Sequence, residues 1–305
     1  MKTVIAGGTG FLGNALKDAL VRDGHEVVVL SRSAGARGTG SARTVAWTPD
    51  GASGAWASEL DGAGAVINLA GESIAGGRWT GAQKQRILES RVLATQSLVA
   101  AVRAAARPPA VFVSGSAVGY YGPLGDEVAT EERGPGADFL SEVCVAWETE
   151  AQRASGPSRV VLVRTGIVLE RDGGALPQML PPFWFGAGGP VGSGRQFWPW
   201  IHRRDWVDLV RFAIRTPGVS GPLNATGPSP VTNKAFAAAL GRALHRPAFL
   251  PAPGFALKIL LGEMAEALLL SGQRAVPAKA LQLGFPFAYR DVDAALGAIF
   301  SRKAT

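Results

Sequence analysis

The stretch Thr3–Gly13, TVIAGGTGFLG, decides how the rest of the chain is read. Thr3 to Ile5 form a short apolar strand, and a glycine-rich turn follows at once. Beyond it Leu12, Ala15, Leu16, Ala19 and Leu20 recur at helical spacing. Asp23-Gly24 ends that helix, and Glu26 to Leu30 read as a second strand. Gly7, Gly10 and Gly13 therefore sit where a strand turns into a helix. There one glycine permits the tight turn, one lets backbone approach a pyrophosphate, and one lets the helix pack closely on the sheet. The helix N-terminus adds free N–H groups and the positive end of a dipole. Thr9, Phe11 and Leu12, in the same loop, are expected beside a bound dinucleotide.

The alternation continues downstream. Strands are expected at Ala65–Leu69, Val111–Ser114, Arg159–Arg164 and Gly221–Ala225, and helices at Thr80–Ala106, Asp138–Ala154 and Asp205–Ile214. That order predicts an α/β fold, a Rossmann-type doubly wound parallel sheet. Residues 171–200 are rich in Gly, Pro, Phe and Trp without clear periodicity, and from Thr232 onward the pattern is mostly helical. The expected organisation is a nucleotide-binding domain over 1–170, completed by 200–228, with a smaller, mainly helical lobe built from 171–199 and 229–305.

Composition narrows the function. A chain of 305 residues with 47% hydrophobic content can bury a large core without cross-links. Its single cysteine, Cys144, excludes an internal disulfide framework and points to a reducing, cytoplasmic setting. His25, His202 and His245 show no ligand spacing, so no metal is expected. The apolar run from Phe255 to Leu270 is too short and too charged to span a bilayer, and no secretory leader is read at the N-terminus. The net charge of +7 comes from scattered residues rather than a basic stripe, which argues against a nucleic-acid partner and leaves a small anionic molecule as the expected one.

The second strand ends Val29-Leu30-Ser31-Arg32. A cofactor with a free ribose 2′-hydroxyl usually meets a carboxylate at this point. Ser31 and Arg32 offer instead a hydroxyl and a cation suited to a 2′-phosphate, so NADP(H) is expected over NAD(H). In an open α/β sheet ligands gather at the carboxyl ends of the strands, which brings Gly166 and Ile167 near the nicotinamide.

Taken together, these motifs resemble the extended short-chain dehydrogenase/reductase family, with its NAD-dependent epimerases and dehydratases. GGTGFLG is similar to its glycine motif, and VINLAGE (66–72) to its strand-end segment beside the cofactor. RVLATQSLVAAV resembles its cofactor-lining helix, and VSGSAVGYYG (113–122) its active-site serine strand. The tail 254–287 resembles an atypical, epimerase-like branch that ends in a helical domain of unassigned role. The resemblance implies cofactor contacts at Leu69, Ala70, Gly71, Arg91 and Ser114, and a catalytic role for Ser116. It also implies a hydroxyl- or carbonyl-bearing substrate such as a nucleotide sugar, and a homodimer through the helices at 80–106 and 138–154.

One departure is central. The family's acid/base pair is Tyr-x-x-x-Lys, the lysine lowering the tyrosine's pKa. No such pair occurs in this sequence: ADFLSEVCVAWE offers Phe139 or Leu140 for the tyrosine and Val143 or Cys144 for the lysine. Tyr120 and Tyr121 are candidate substitute acids, with aromatic packing as the other reading. Glu72, Arg195, Gln196, Trp200 and His202 are candidate substrate contacts, the tryptophans being equally readable as core and the histidine as a structural residue. Asp205 reads as the cap of a helix starting at Trp206. Two functions follow: an NADP(H)-dependent, epimerase-like oxidoreductase with altered acid/base chemistry, or an NADP(H)-binding redox sensor or scaffold without turnover.

Overall fold

The computed structural model describes residues 1–33 and 42–301. Strands β1 (Lys2–Ala6), β2 (Glu26–Ser31), β3 (Ala42–Ala46), β4 (Ala65–Asn68) and β5 (Val111–Ala117) come first, followed by a two-residue β6 (Val128–Ala129). They are interleaved with α1 (Phe11–Arg22), α2 (Gly81–Ala104) and α3 (Phe139–Gln152). Then come β7 (Arg159–Thr165), β8 (Ile167–Leu169), α4 (Leu176–Trp184), β9 (Phe197–Trp198), β10 (Trp200–His202), α5 (Arg203–Arg215) and β11 (Gly221–Ala225). The C-terminal part holds β12 (Val231–Thr232), α6 (Asn233–Leu244), α7 (Gly254–Leu261), short turns to β13 (Arg274–Ala275), and a last helix at Val292–Ser301.

Seven strands form one sheet in the order β11-β7-β5-β4-β1-β2-β3, every neighbouring pair parallel. The order reverses at β1, so the carboxyl ends of β1 and β4 diverge there and open a crevice. Buried Val, Ile and Leu side chains on both faces explain the near-continuous apolar runs of these strands: α1 and α5 cover one face, α2 and α3 the other.

A third apolar cluster lies outside the sheet. Leu176, Leu180 and Phe183 of α4 pack with Trp198, Trp200, Phe236, Leu240 and Leu296. Most large apolar side chains that stay exposed also lie on these later segments, Phe185, Phe249, Phe255, Ile259 and Leu260 among them. The expected apolar helix over 255–270 is broken: α7 ends at Gly262, whose φ of +65° starts a new turn. Among the described residues no helix is long and apolar enough to cross a membrane, and no cluster of three or more potential metal ligands occurs.

Two elements that the sequence does not mark are present, and one expectation needs correction. The edge strand β3 and the helix α4 carry no clear period in the sequence, yet both form. Asp205 does not cap α5. His202 does, its Nδ1 accepting the Arg204 N–H at 3.0 Å, while the Asp205 carboxylate accepts the N–H groups of Ala288 and Tyr289 at 2.8 and 2.9 Å.

Candidate functional site

The turn after β1 is built by its glycines. Gly7 has φ +78°, and a Cβ there would stand 2.6 Å from Leu69 O. A Cβ on Gly13 would stand 2.2 Å from Gly7 O, so the first turn of α1 lies directly on the loop. Gly10 differs. It is the N-cap of α1, has negative φ, and its added Cβ would meet only Gly7 O, at 3.4 Å. The protein's own packing does not demand glycine there, so the bare backbone at Gly10 leaves room for something outside the chain. It lines the crevice on both sides.

Two cavities flank this turn and share Gly7, Gly10, Leu69, Gly71 and Glu72 as common wall. The first, about 550 Å³, lies at the ends of β1 and β2 and is bounded by Thr9, Leu30, Ser31, Arg32, Ser33, Trp47, Ala70, Arg86 and Ser90. Among the described residues no carboxylate stands at the end of β2, while Glu72 and Glu89 lie further along the same cavity wall. The second, about 610 Å³, runs over the ends of β5 and β7 and is bounded by Phe11, Leu12, Gly13, Arg91, Gly115, Ser116, Gly166 and Ile167. Asn68, buried at the end of β4, shapes the junction: its Oδ1 accepts the Ala70 N–H at 3.2 Å and its Nδ2 donates to Thr95 of α2 at 2.8 Å. The Glu72 N–H donates to Ser90 Oγ at 2.9 Å.

Every cofactor candidate read from the sequence borders one of these cavities except Ser114. Ser114 is buried in β5, with its Oγ donating to Gly115 O at 3.2 Å. By strand alternation it shares the face of Ser116, but it lies two residues further from the strand end and outside the cavity wall.

The α3 face toward the second cavity carries Leu140, Val143, Cys144 and Trp147, an i, i+3, i+4, i+7 stripe. Phe139 points elsewhere and packs against Trp79. Leu140 and Cys144 are thus the i, i+4 pair that faces the cleft where an acid/base pair is wanted. Cys144 is buried, and desolvation followed by the charge of Glu148 pushes its thiol up to about 11. Neither side chain is suited to proton transfer near neutral pH.

Ser116 does reach the cleft. Its Oγ donates to Glu148 Oε1 at 2.6 Å, and Glu148 is held in two-point contact by Arg164, with Nε to Oε1 and Nη2 to Oε2 both 2.8 Å. All three are buried. This network ties α3 to β5 and β7, and the carboxylate raises the guanidinium's affinity for its proton. With its proton committed to Glu148, Ser116 offers lone pairs to a ligand.

The two tyrosines belong to the back of this network. Tyr121 is buried, donates to Asn224 Oδ1 at 2.7 Å and accepts from Arg164 Nη1 at 3.1 Å. Burial raises its pKa. Tyr120 carries the Arg164 guanidinium 3.5 Å from its ring centre. Neither lines the cleft, so the expected acid role for Tyr120 and Tyr121 is corrected to aromatic packing around Arg164.

Four of the five substrate candidates also fall elsewhere. Trp200 is fully buried and donates to Ser229 O. Gln196 Nε2 donates to Val191 O and Leu269 O. Arg195 is exposed and outside both cavities. His202 is buried, caps α5 and stacks on Tyr289 at 4.1 Å. Glu72 alone lies in the cleft wall. Trp198, grouped with these candidates in the sequence, does line the second cavity; the side chains missed by sequence reasoning are Trp147, Glu148 and Gln273, and Ser33, which Ser31-Arg32-Ser33 could have suggested.

The profile of the NAD dependent epimerase/dehydratase family matches residues 3–224. The chain belongs to that family. A domain of unknown function, DUF1731, matches residues 252–299. The epimerase family protein YfhF of Bacillus subtilis is 41% identical over the full length of both chains. Mb2239 of Mycobacterium bovis is 43% identical, covering 96% of this chain and 95% of its own. Among solved structures, human epimerase family protein SDR39U1, crystallised with NADPH, superposes with a TM-score of 0.90 at 36% identity, covering 99% of this chain and all of that one. A nucleoside-diphosphate sugar epimerase from Corynebacterium glutamicum superposes with a TM-score of 0.78 at 34% identity, covering 98% of this chain and 58% of that one. The matched range takes in the glycine turn and the Ser116 strand, and also α3, whose cleft face carries Leu140 and Cys144.

Proposed function

We propose that the chain binds NADP(H) and acts as an epimerase-like oxidoreductase on a hydroxyl or carbonyl carbon, without the Tyr-x-x-x-Lys pair. The observation that carries this reading is the pair of cavities meeting at Gly10, where the backbone is bare for no internal reason. The N-terminus of α1 would hold the pyrophosphate. Ser31, Arg32 and Ser33 would hold the 2′-phosphate. Gly115, Gly166 and Ile167 leave room for the nicotinamide. When bound, the cofactor supplies or accepts a hydride. Ser116, oriented by Glu148, would accept a hydrogen bond from the substrate hydroxyl. The NADPH in the human SDR39U1 structure supports the choice of cofactor, and the buried single cysteine fits a reducing cytosol. A homodimer through α2 and α3 belongs to the same proposal and is read by light scattering.

Titration of the protein with NADPH and NADH, followed by calorimetry, tests it. Tighter binding of NADPH is expected. Equal affinities would remove the 2′-phosphate site, and binding of neither would remove the function. A second reading, a sensor that binds without turnover, draws support from Leu140 and Cys144 in the cleft. Oxidation of bound NADPH by a carbonyl panel, lost on Ser116→Ala, would exclude it.

A further inference from the structure

The family's nucleotide sugars carry a diphosphate, which needs several cations or N–H donors around it. The second cavity is walled differently. Val143 and Trp147 of α3, Trp198, Trp206 and Leu268 give it a mostly apolar surface. Among the described residues Arg91 is the one Lys or Arg in that wall, and Glu72 the one carboxylate.

The setting of Arg91 is unusual for an arginine. It projects from α2 into the second cavity, while Arg86, Ser90 and Leu93 of the same helix face the first. Its Nη1 donates to Ile87 O at 2.9 Å, within its own helix, and its guanidinium carbon stands 5.3 Å from the Trp147 ring centre. Among the described residues it forms no ion pair. It feels Cys144 and Glu72 only at a distance, and burial lowers its pKa from the usual arginine value. A desolvated cation without a hydrogen-bonded counter-ion is costly, and a ligand carboxylate could repay that cost in a two-point contact. The Arg91 side chain packs on Gly71, in the wall that the two cavities share, while the bare backbone of Gly7 and Gly10 lies at the N-terminus of α1.

We infer that the second cavity selects a small, largely apolar carbonyl or alcohol compound bearing a single carboxylate, with Arg91 as its anchor and Ser116 as the acceptor for its hydroxyl. A nucleotide sugar fits this wall poorly: it brings two adjacent phosphate charges to one guanidinium and places them near the carboxylate of Glu72. The inference rests on the NADP(H) reading above, which puts the adenosine in the first cavity, the pyrophosphate at Gly10 and the nicotinamide at the Gly115, Gly166 and Ile167 end of the second cavity, and leaves the rest of that cavity to the substrate.

The test is calorimetric titration of the NADPH-saturated protein with 2-naphthoate, its neutral analogue 2-naphthylmethanol, and UDP-glucose. Binding of 2-naphthoate is expected to exceed that of the alcohol by about tenfold or more, the worth of a charge-assisted hydrogen bond. UDP-glucose is expected to bind more weakly than 2-naphthoate. Arg91→Met should abolish the preference for the carboxylate, and Arg91→Lys should keep part of it. Both variants should bind 2′,5′-ADP, a ligand for the first cavity alone, as the parent does, which also shows that they fold. Tighter binding of UDP-glucose than of 2-naphthoate would overturn the inference, as would an unchanged carboxylate preference in Arg91→Met. Loss of NADPH binding in Arg91→Met with 2′,5′-ADP binding intact would assign Arg91 to the cofactor and overturn it too. Failure of the parent protein to bind NADPH in the first titration is a separate result and defeats the cofactor reading itself.

Discussion

Ser116 Oγ donates to Glu148 Oε1 at 2.6 Å, and the two residues stand 32 positions apart in the chain. Arg164 grips the same carboxylate from β7, so one buried ion pair orients the one polar side chain of β5 that faces the cleft. Two charges taken out of water this fully are held by each other and by their neighbours.

Removing one partner should therefore cost more than removing both. Glu148→Ala leaves Arg164 buried and unpaired, and a loss of about 3–5 kcal/mol is expected. Glu148→Leu with Arg164→Met should be less destabilised than the single variant. Urea unfolding of the two proteins checks the order. A double variant as unstable as Glu148→Ala would show that the pair contributes more than mutual neutralisation.

Tyr121→Phe tests the correction to the tyrosines. The change deletes the bond to Asn224 and leaves Arg164 Nη1 with Glu131 O alone. Stability should fall by about 1–3 kcal/mol, while NADPH affinity stays unchanged because the ring lies outside the cleft. A selective loss of hydride transfer in a folded Tyr121→Phe protein would restore it as an acid.

Much of this arrangement could be read in advance. The sheet was legible because its strands are buried on both faces and so appear as unbroken runs such as VVVL and VVLV, each followed by a helical period. β3 was not, since ARTVA at the sheet edge has no fully buried residue. α4 was not, because Pro177, Pro181 and Pro182 hide a helix whose Leu176, Leu180 and Phe183 face inward. In the site, the glycines were legible because their constraint is local. The Ser116–Glu148–Arg164 network was not, since it joins three elements distant in sequence. Trp198 and Trp200 looked equivalent, but only the first reaches the cavity, because Pro199 separates two short strands with different partners.

The glycines should separate by role. Gly13→Ala would drive a Cβ into Gly7 O and is expected to cost about 3 kcal/mol or more, and Gly7→Ala adds strain at positive φ to a backbone clash. Gly10→Ala should change stability by less than about 1 kcal/mol yet weaken NADPH binding about tenfold or more. Thermal unfolding paired with calorimetry reads both. If Gly10→Ala binds NADPH as the parent does, the space above Gly10 is not a phosphate site.

Cys144 supplies a pH test. Burial lifts its thiol from the usual value of about 9 to about 11. The folded state then holds the proton more tightly than the unfolded state. The stability this contributes is intact below about pH 9 and is lost as the pH rises towards 11. The native thiol should resist iodoacetamide at pH 8 and react once urea unfolds the chain. Cys144→Val should flatten the alkaline decline. Rapid labelling of the native protein at pH 8 would contradict the burial that keeps this residue from proton transfer.

Arg32 is where the proposed cofactor preference can be tested. It lies at the end of β2 in the wall of the first cavity, with Ser31 and Ser33 on either side and, among the described residues, no carboxylate at the strand end. Arg32→Glu replaces the cation with the charge that suits a free 2′-hydroxyl. NADPH affinity should fall by about tenfold or more, while NADH affinity holds or rises. Because Arg32 is exposed, the fold should be unaffected, and 2′,5′-ADP binding should fall in parallel with that of NADPH. If Arg32→Glu weakens NADPH and NADH alike, the residue acts on the shared adenosine and not on the 2′-phosphate, and the preference must come from Ser31 and Ser33.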